Sequence, residues 1–472
     1  MTHLILCREY PPAPYPAGGI GTYVKHIARL LAEAGETVHL IAQRWHGAPE
    51  RVSAHFNGRL IVHRVSLDEP VREGTGLADA QLLSGLASSD CPSQVFSWQA
   101  AQLAECLIES ESIDVIEAQE WEAPLYYLQV RRALGLGPRK EPPCLIHLHS
   151  PSQLIFRHNE WDETLTDFLP LCRFEEYSVK AADALLCPSR YLARGAGALF
   201  GFEPAAAEVV PYPIGDASFI ERAPDIWDRN SICYFGRLEL RKGVVEWVDA
   251  AVKAAGSHPT VRFEFIGNDT SLGGSVGRSV EEFLKERIPR RLRPRFLFHG
   301  GRSRAELFRL LAEVSVAVVP SRWENLPFTC IEAMASGLPV LASPNGGMVE
   351  LVTDGLNGWV ARDGTASGLE SALEKVLDTS PGKRAAMGRE AAAAVRRICA
   401  NDGVLERHIE VRAGLAASGA TRSRLVPDTS FPRPHEDLDR RGFGIVVTCL
   451  ERPDLVPGCL ENIAAQIVPP KA

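Results

Sequence analysis

A chain of 472 residues is long enough for two or three domains with cores of ordinary size. Its 45% apolar and 23% charged residues suit a soluble globular protein, and a net charge of −8 argues against a nucleic-acid binder, which would carry a basic face. An anionic substrate must then be drawn in by local cations rather than by the overall field.

Taken in chain order, short apolar runs of strand length alternate with helix-length segments twice over. The first half reads as strands near His3–Cys7, Thr37–Ile41, Leu60–Val65, Asp114–Glu117, Cys144–His149, Ala184–Cys187 and Glu208–Val210. Between the first two, GGIGTYVKHIARLLAEAGE is an amphipathic helix with Tyr23, Ile27, Leu30 and Leu31 on one side and Gly35 as its stop. The second half repeats the pattern with strands at Ser231–Phe235, Arg262–Ile266, Arg295–Phe298, Val314–Val319 and Pro339–Ala342. Such alternation predicts an α/β architecture of parallel sheets covered on both faces by helices. The proline- and acid-rich stretch 211–230 marks the junction. It divides a first domain, 1–212, from a second, 213–417, whose last helices are candidates to pack back on the first. Residues 418–441 lack hydrophobic periodicity and read as a linker. A fresh strand, Phe443–Cys449, and a helix, Val456–Gln466, then start a further domain within 442–472.

The eleven cysteines form no CxxC pair, and Cys144, Cys187 and Cys233 lie in apolar runs, so buried reduced thiols are expected. No run approaches the roughly 18 apolar residues of a membrane span. The N-terminus opens on a strand without the apolar core of a signal peptide, which points to the cytosol. The basic run 285–296 is a candidate contact for an anionic membrane surface, against a solvated loop before a strand.

Chemistry concentrates in four places. GGIG at 18–21 joins a strand to a helix, where Gly18, Gly19 and Gly21 let the backbone approach a phosphate; a tight turn explains the same pattern. GRLELRKG at 236–243 follows a strand and carries Arg237 and Lys242, a forked donor and a point charge suited to a diphosphate. Glu239 between them can pair with either cation. The third is VPSRWENLPFTCIEAMASGLPV at 319–340, a strand, a polar loop and a helix opened by Pro327. Its Glu324 and Glu332 flank a helix start that suits an anion, and carboxylates there are natural partners of sugar hydroxyls. Downstream, Gly346, Gly347 and Glu350 form either a further approach to the ligand or a turn and helix start. Finally, His149 ends the strand CLIHLH at the edge of a cleft, with His147 one strand period away, and no adjacent Cys or carboxylate completes a zinc set. Asp437 and Asp439 have D-x-D spacing but fall in the linker.

The segment VPSRWENLPFTCIEAMASGLPV, followed by NGGMVELVTDGLNGWV, closely resembles the signature region of retaining glycosyltransferases of family 4, which have the GT-B fold. GRLELRKG looks like that family's diphosphate motif, and GGIG and His149 fit in order and spacing. The resemblance covers about residues 1–415. It implies two facing Rossmann-like domains with parallel sheets across a cleft, a nucleotide-sugar donor (a UDP-sugar foremost) held mainly by the second domain, and a glycan, lipid or small-molecule acceptor held mainly by the first. It implies no required metal and a cytoplasmic enzyme, with peripheral contact at the inner face of a membrane as an option. By the same resemblance Arg237 and Lys242 take the donor's phosphates, Glu332 the ribose, Glu324 with the adjoining Asn325 and Leu326 the transferred sugar, and His149 contacts the sugar from the opposite domain. Asn325 stands where glycine is frequent in the family. Acceptor contacts are expected on the stretches 66–98 and 150–170. The tail FGIVVTCLERPDLVPGCLENIAAQIVPP resembles the opening of family 2 glycosyltransferases of GT-A fold. Two other readings stand beside transfer: a nucleotide-sugar epimerase or phosphorylase on the same scaffold, or a non-catalytic nucleotide-sugar-binding module.

Overall fold

The computed structural model describes residues 1–13, 18–45, 50–69, 71, 77–89, 91, 93–272 and 278–420. The D-x-D spacing at 437–439, nearly all of the expected linker and the tail 442–472 lie outside these residues.

Two sheets organise the chain. The first contains β1 (Thr2–Leu6), β2 (Thr37–Gln43), β3 (Val52–His55), β4 (Leu60–Val65), β5 (Val115–Gln119), β6 (Cys144–His147), β7 (Ala184–Cys187) and β8 (Ala207–Val209), in the order β3-β4-β2-β1-β5-β6-β7-β8. The second contains β9 (Ser231–Phe235), β10 (Arg262–Ile266), β11 (Phe296–Gly300), β12 (Val316–Val319), β13 (Val340–Ala342) and β14 (Gly358–Val360), in the order β11-β10-β9-β12-β13-β14. All pairings are parallel except β3 with β4, an antiparallel edge that the alternation did not predict. In each sheet the chain winds one way from a central strand and then the other, so the order reverses between β1 and β5 and between β9 and β12. Crevices at such switch points, outside the carboxyl ends of the strands, are where open α/β sheets bind ligands.

Strand alternation explains the double cover. Ile5 of β1 and Cys7 just after it pack with Tyr23, Ile27 and Leu31 of the helix Gly19–Glu33. Leu4 and Leu6 point the other way, onto Phe96, Ala100 and Ala104 of the helix Ser93–Ser110. The second sheet repeats this, with Ile232 and Tyr234 against the helix Val244–Ser257 and Cys233 and Phe235 against the helix Phe328–Ala335. Cys144, Cys187 and Cys233 are buried free thiols.

The last helices of the second domain are Pro381–Cys399 and Asn401–Ser418, broken at Ala400. The second crosses back to the first sheet, where Val404 meets Val115, Leu145 and Leu186. Its fully buried Arg412 forms an ion pair with Glu117 on β5, while the Tyr23 hydroxyl donates to the same carboxylate at 2.8 Å. In the basic run, Arg287 pairs with Asp249 and Arg295 donates to the carbonyls of Ala255 and His258, which consumes part of its charge. Among the described residues no helix is long and apolar enough to cross a membrane.

Removing one partner of a buried pair strands the other charge, at a cost of about 3–5 kcal/mol. Arg412→Ala should therefore lower unfolding stability by roughly that amount in urea titration, whereas a loss below about 1 kcal/mol would show that the pair does not anchor this helix.

Candidate functional site

The loops that leave the two switch points face one another across a cavity of about 520 Å³. The first lobe contributes Glu9, Gly18 and Gly19 after β1, Trp121 after β5, and His149 and Ser150 after β6. The second lobe contributes Arg237, Arg241 and Lys242 after β9, and Glu324 to Thr329 and Glu332 after β12. Of the residues that the resemblance assigns to donor or sugar, only Gly21 is absent from this wall; Glu239, His147, Gly346, Gly347 and Glu350 also lie off it. The Gly21 N–H donates to Glu9 Oε1 at 2.7 Å, so the first turn of the helix Gly19–Glu33 is partly occupied by the protein's own carboxylate.

The cations after β9 form a chain of ion pairs. Arg237, well exposed, reaches Glu239 at 2.8 Å. Glu239 turns next to Arg241, at 3.3 Å, and not to Lys242, so of the two cations considered from sequence it takes only Arg237. Arg241 continues to Glu324 at 3.1 Å, and Lys242 pairs with the other oxygen of the same carboxylate. Burial pushes the Glu324 carboxyl up, but Arg241 and Lys242 outweigh it and hold it down at about 2. Burial lowers Lys242, with Glu324 opposing that shift. Arg241 is 4% exposed and was not legible as a site residue, because burial between two carboxylates leaves no mark on a basic sequence of this kind. Gly243 follows in a left-handed turn (φ 68°) where a Cβ would lie 2.0 Å from the Pro320 carbonyl oxygen, so only glycine lets these cations approach the end of β12.

Glu332, on the helix Phe328–Ala335, pairs with Arg304 at 2.7 Å, and burial raises its carboxyl despite that partner. Pro327 sits just before the first helical residue rather than within the first turn.

His149 is buried, and both ring nitrogens are engaged, Nε2 with His147 Nδ1 at 2.7 Å and Nδ1 with the Tyr212 hydroxyl. Burial drives its pKa down to about 3, so the ring is neutral at physiological pH. Asn325 explains its own presence where glycine is frequent. Its side-chain amide donates to the His149 carbonyl at 2.7 Å and to the Tyr212 hydroxyl at 3.0 Å, while its backbone carbonyl accepts from Gly347 N–H at 2.7 Å and Ser189 Oγ at 3.1 Å. Gly347 and Glu350 thus belong to the seam between lobes, whereas Gly346 bridges to Glu324 within the second lobe. A Cβ on Gly347 would lie 2.1 Å from the Asn325 carbonyl oxygen, and Glu350 accepts the N–H of Tyr191 at 2.8 Å. The seam continues with Arg322, which joins Glu160 of the first lobe to Glu246 of the second.

Two further carboxyls escaped the sequence reading. Glu120 accepts the N–H groups of His149 and Ser150, and Glu175 accepts those of Ser152 and Glu122. Burial raises them to about 7 and about 8. Of the two stretches expected to meet the acceptor, 150–170 supplies Ser150 and Ile155, and no described residue of 66–98 lines the cavity. Among the described residues, no three His, Cys, Asp or Glu side chains converge as a metal site.

Two family descriptions match side by side: the Glycosyl transferase 4-like domain over residues 18–213 and Glycosyl transferases group 1 over residues 219–394. Glycogen synthase of Mycobacterium tuberculosis is 26% identical over 413 residues, covering 84% of this chain and 90% of that protein. Sucrose-phosphate synthase of Thermosynechococcus elongatus has a similar structure, with a TM-score of 0.67 at 19% identity over 89% of this chain and 100% of the other. HepE of Anabaena, solved with UDP-glucose, gives a TM-score of 0.61 at 18% identity over 88% of this chain and 100% of the other.

The raised carboxyls set a pH dependence. Between the ordinary glutamate value, about 4.3, and their folded values the native state binds more protons than the unfolded chain, so stability falls as pH rises through about 7 to 8. Melting temperature measured from pH 5 to 9 should decline, and Glu175→Gln should flatten the decline. An unchanged slope in that variant would remove Glu175 as its source.

Proposed function

Because the chain belongs to the family 4 type of glycosyltransferases, built on the GT-B fold, we propose that its cleft takes a UDP-sugar and transfers the sugar with retention of configuration. Nucleotide-sugar glycosyltransfer is the function the chain shares with its relatives. The base, the stereochemistry and the residue roles are our reading.

The observation that carries it is the cation row after β9 facing the loop and helix start after β12. Breaking a sugar–phosphate bond leaves negative charge on the departing diphosphate and positive charge on the sugar ring. Arg237 and Lys242 are assigned to the diphosphate, with the N-terminus of the helix Phe328–Ala335 beside them. Glu324, kept ionised by Arg241, accepts hydroxyl hydrogen bonds from the sugar and favours a developing positive ring, with Asn325 and Leu326 shaping that end of the site. Glu332 is assigned to the ribose. Gly18 and Gly19 bring first-lobe backbone close to the donor, whereas Gly21 has a structural bond to Glu9. His149 acts by position: its carbonyl and ring fix Asn325 and Tyr212 at the sugar end. Retention follows when the acceptor hydroxyl attacks from the face the diphosphate leaves. The C–O bond to phosphate breaks as the bond to the acceptor oxygen forms, and the acceptor proton passes to the leaving phosphate oxygen. The seam contacts close the cleft and exclude water, which limits hydrolysis. UDP-glucose in the HepE structure supports uridine as the base.

Losing one preorganised donor to a developing anion typically costs about 2.7–4 kcal/mol, on the order of 10²–10³ in rate. Arg237→Ala and Lys242→Ala should each lose that much in steady-state transfer with the fold intact by circular dichroism. Near-normal turnover in either would take it out of the mechanism. NMR of the product should show a retained anomeric centre, and an inverted one, or conversion of donor to an epimer without acceptor, would refute the reading.

A further inference from the structure

The two walls of the cavity differ in charge, and the difference bears on the acceptor. Arg237, Arg241, Lys242 and Arg304 all come from the second lobe. Each already pairs with a carboxylate, either Glu239, Glu324 or Glu332. A donor diphosphate draws on Arg237 and Lys242, and Arg241 and Arg304 are held by Glu324 and Glu332. Among the described residues, the first-lobe wall carries no lysine or arginine; it presents Glu9, Thr22, Trp121, Ser150 and Ile155.

Two details show that this wall is built rather than merely lacking in charge. Glu9, 8% exposed, accepts the Gly21 N–H, so the end of this wall best suited to a phosphate already holds a carboxylate. Trp121 sits at a strained corner: the next residues, Glu122 (φ 60°) and Ala123 (φ 45°), are both left-handed without being glycine. The corner is held by Arg8, whose Nη1 reaches both Glu122 oxygens at 2.7 Å, by the Glu122 N–H on Glu175 at 3.1 Å, and by the Ala123 N–H on the Glu120 carbonyl at 2.8 Å. Strain kept in place by three separate contacts puts an aromatic residue on the cavity wall.

We propose that the acceptor is an uncharged sugar or glycan, held by hydroxyl hydrogen bonds to Glu9 and by its apolar face on Trp121, and that this wall rejects phosphorylated acceptors. A carboxylate accepts from hydroxyls but repels a phosphate, the more so away from bulk water. The inference rests on the donor assignment above and deepens it.

The test loads the protein with UDP and reads binding by saturation-transfer NMR, which needs no turnover. Neutral probes (glucose, maltose, trehalose, inositol) are set against glucose 6-phosphate, trehalose 6-phosphate and inositol phosphate. The expected result is at least about tenfold tighter binding of the best neutral probe, weakened about tenfold by Trp121→Ala, largely restored by Trp121→Phe, and weakened by Glu9→Gln. In transfer assays the same variants should raise acceptor KM far more than donor KM. Equal or tighter binding of a phosphorylated probe, or binding of neither class, overturns the proposal. So does an acceptor affinity that Glu9→Gln and Trp121→Ala leave unchanged. Failure of UDP to raise the melting temperature before any acceptor is added identifies the donor assignment as the fault instead.

Discussion

Arg241 between Glu239 and Glu324 is the interaction on which the site depends. Moving ions out of water costs several kcal/mol each, and the mutual attraction of a buried pair often does no more than offset that. Apolar residues of the same volume would serve the fold as well. What the cluster supplies is geometry: it ties the loop after β9 to the loop after β12 and fixes the ionised Glu324 carboxylate. It also sets Lys242 and Arg237 on the cleft side.

From that cluster a polar path runs into the other lobe. Asn325, next to Glu324, bonds Tyr212 and the His149 carbonyl; Tyr212 bonds the His149 ring, and His149 bonds His147. His147 stacks on Tyr23 with ring centroids 4.2 Å apart, and Tyr23 shares Glu117 with Arg412 of the last described helix. Every member is buried, so each polar atom left without its partner is costly, which makes the arrangement sensitive to single losses. The seam between the lobes and the shape of the cavity beside Glu324 thereby rest on the same contacts.

Much of this was legible in the sequence for a physical reason. Fully buried parallel strands such as β1, β9 and β12 read as continuous apolar runs, and turn residues bound them. The edge strand β3, VSAH, is mostly exposed, and the three-residue β14, GWV, is too short for periodicity, so neither stood out. Arg237, Lys242, Glu324 and Glu332, which line the cavity, could be singled out because the first three lie in loops after buried strands and the last on the helix that follows β12. Arg241, Glu9, Glu120 and Glu175 were missed because their meaning lies in partners distant along the chain. His149 lies two residues past the end of β6 rather than ending the strand, and its neutral state follows from burial, which no local pattern encodes.

The most direct measurement is a structure with a nucleotide sugar bound. Diphosphate oxygens are expected within hydrogen-bonding distance, about 2.7–3.2 Å, of Arg237 and Lys242, with the sugar hydroxyls at Glu324 and the ribose at Glu332. A diphosphate held elsewhere, with Lys242 still closed on Glu324, would contradict this.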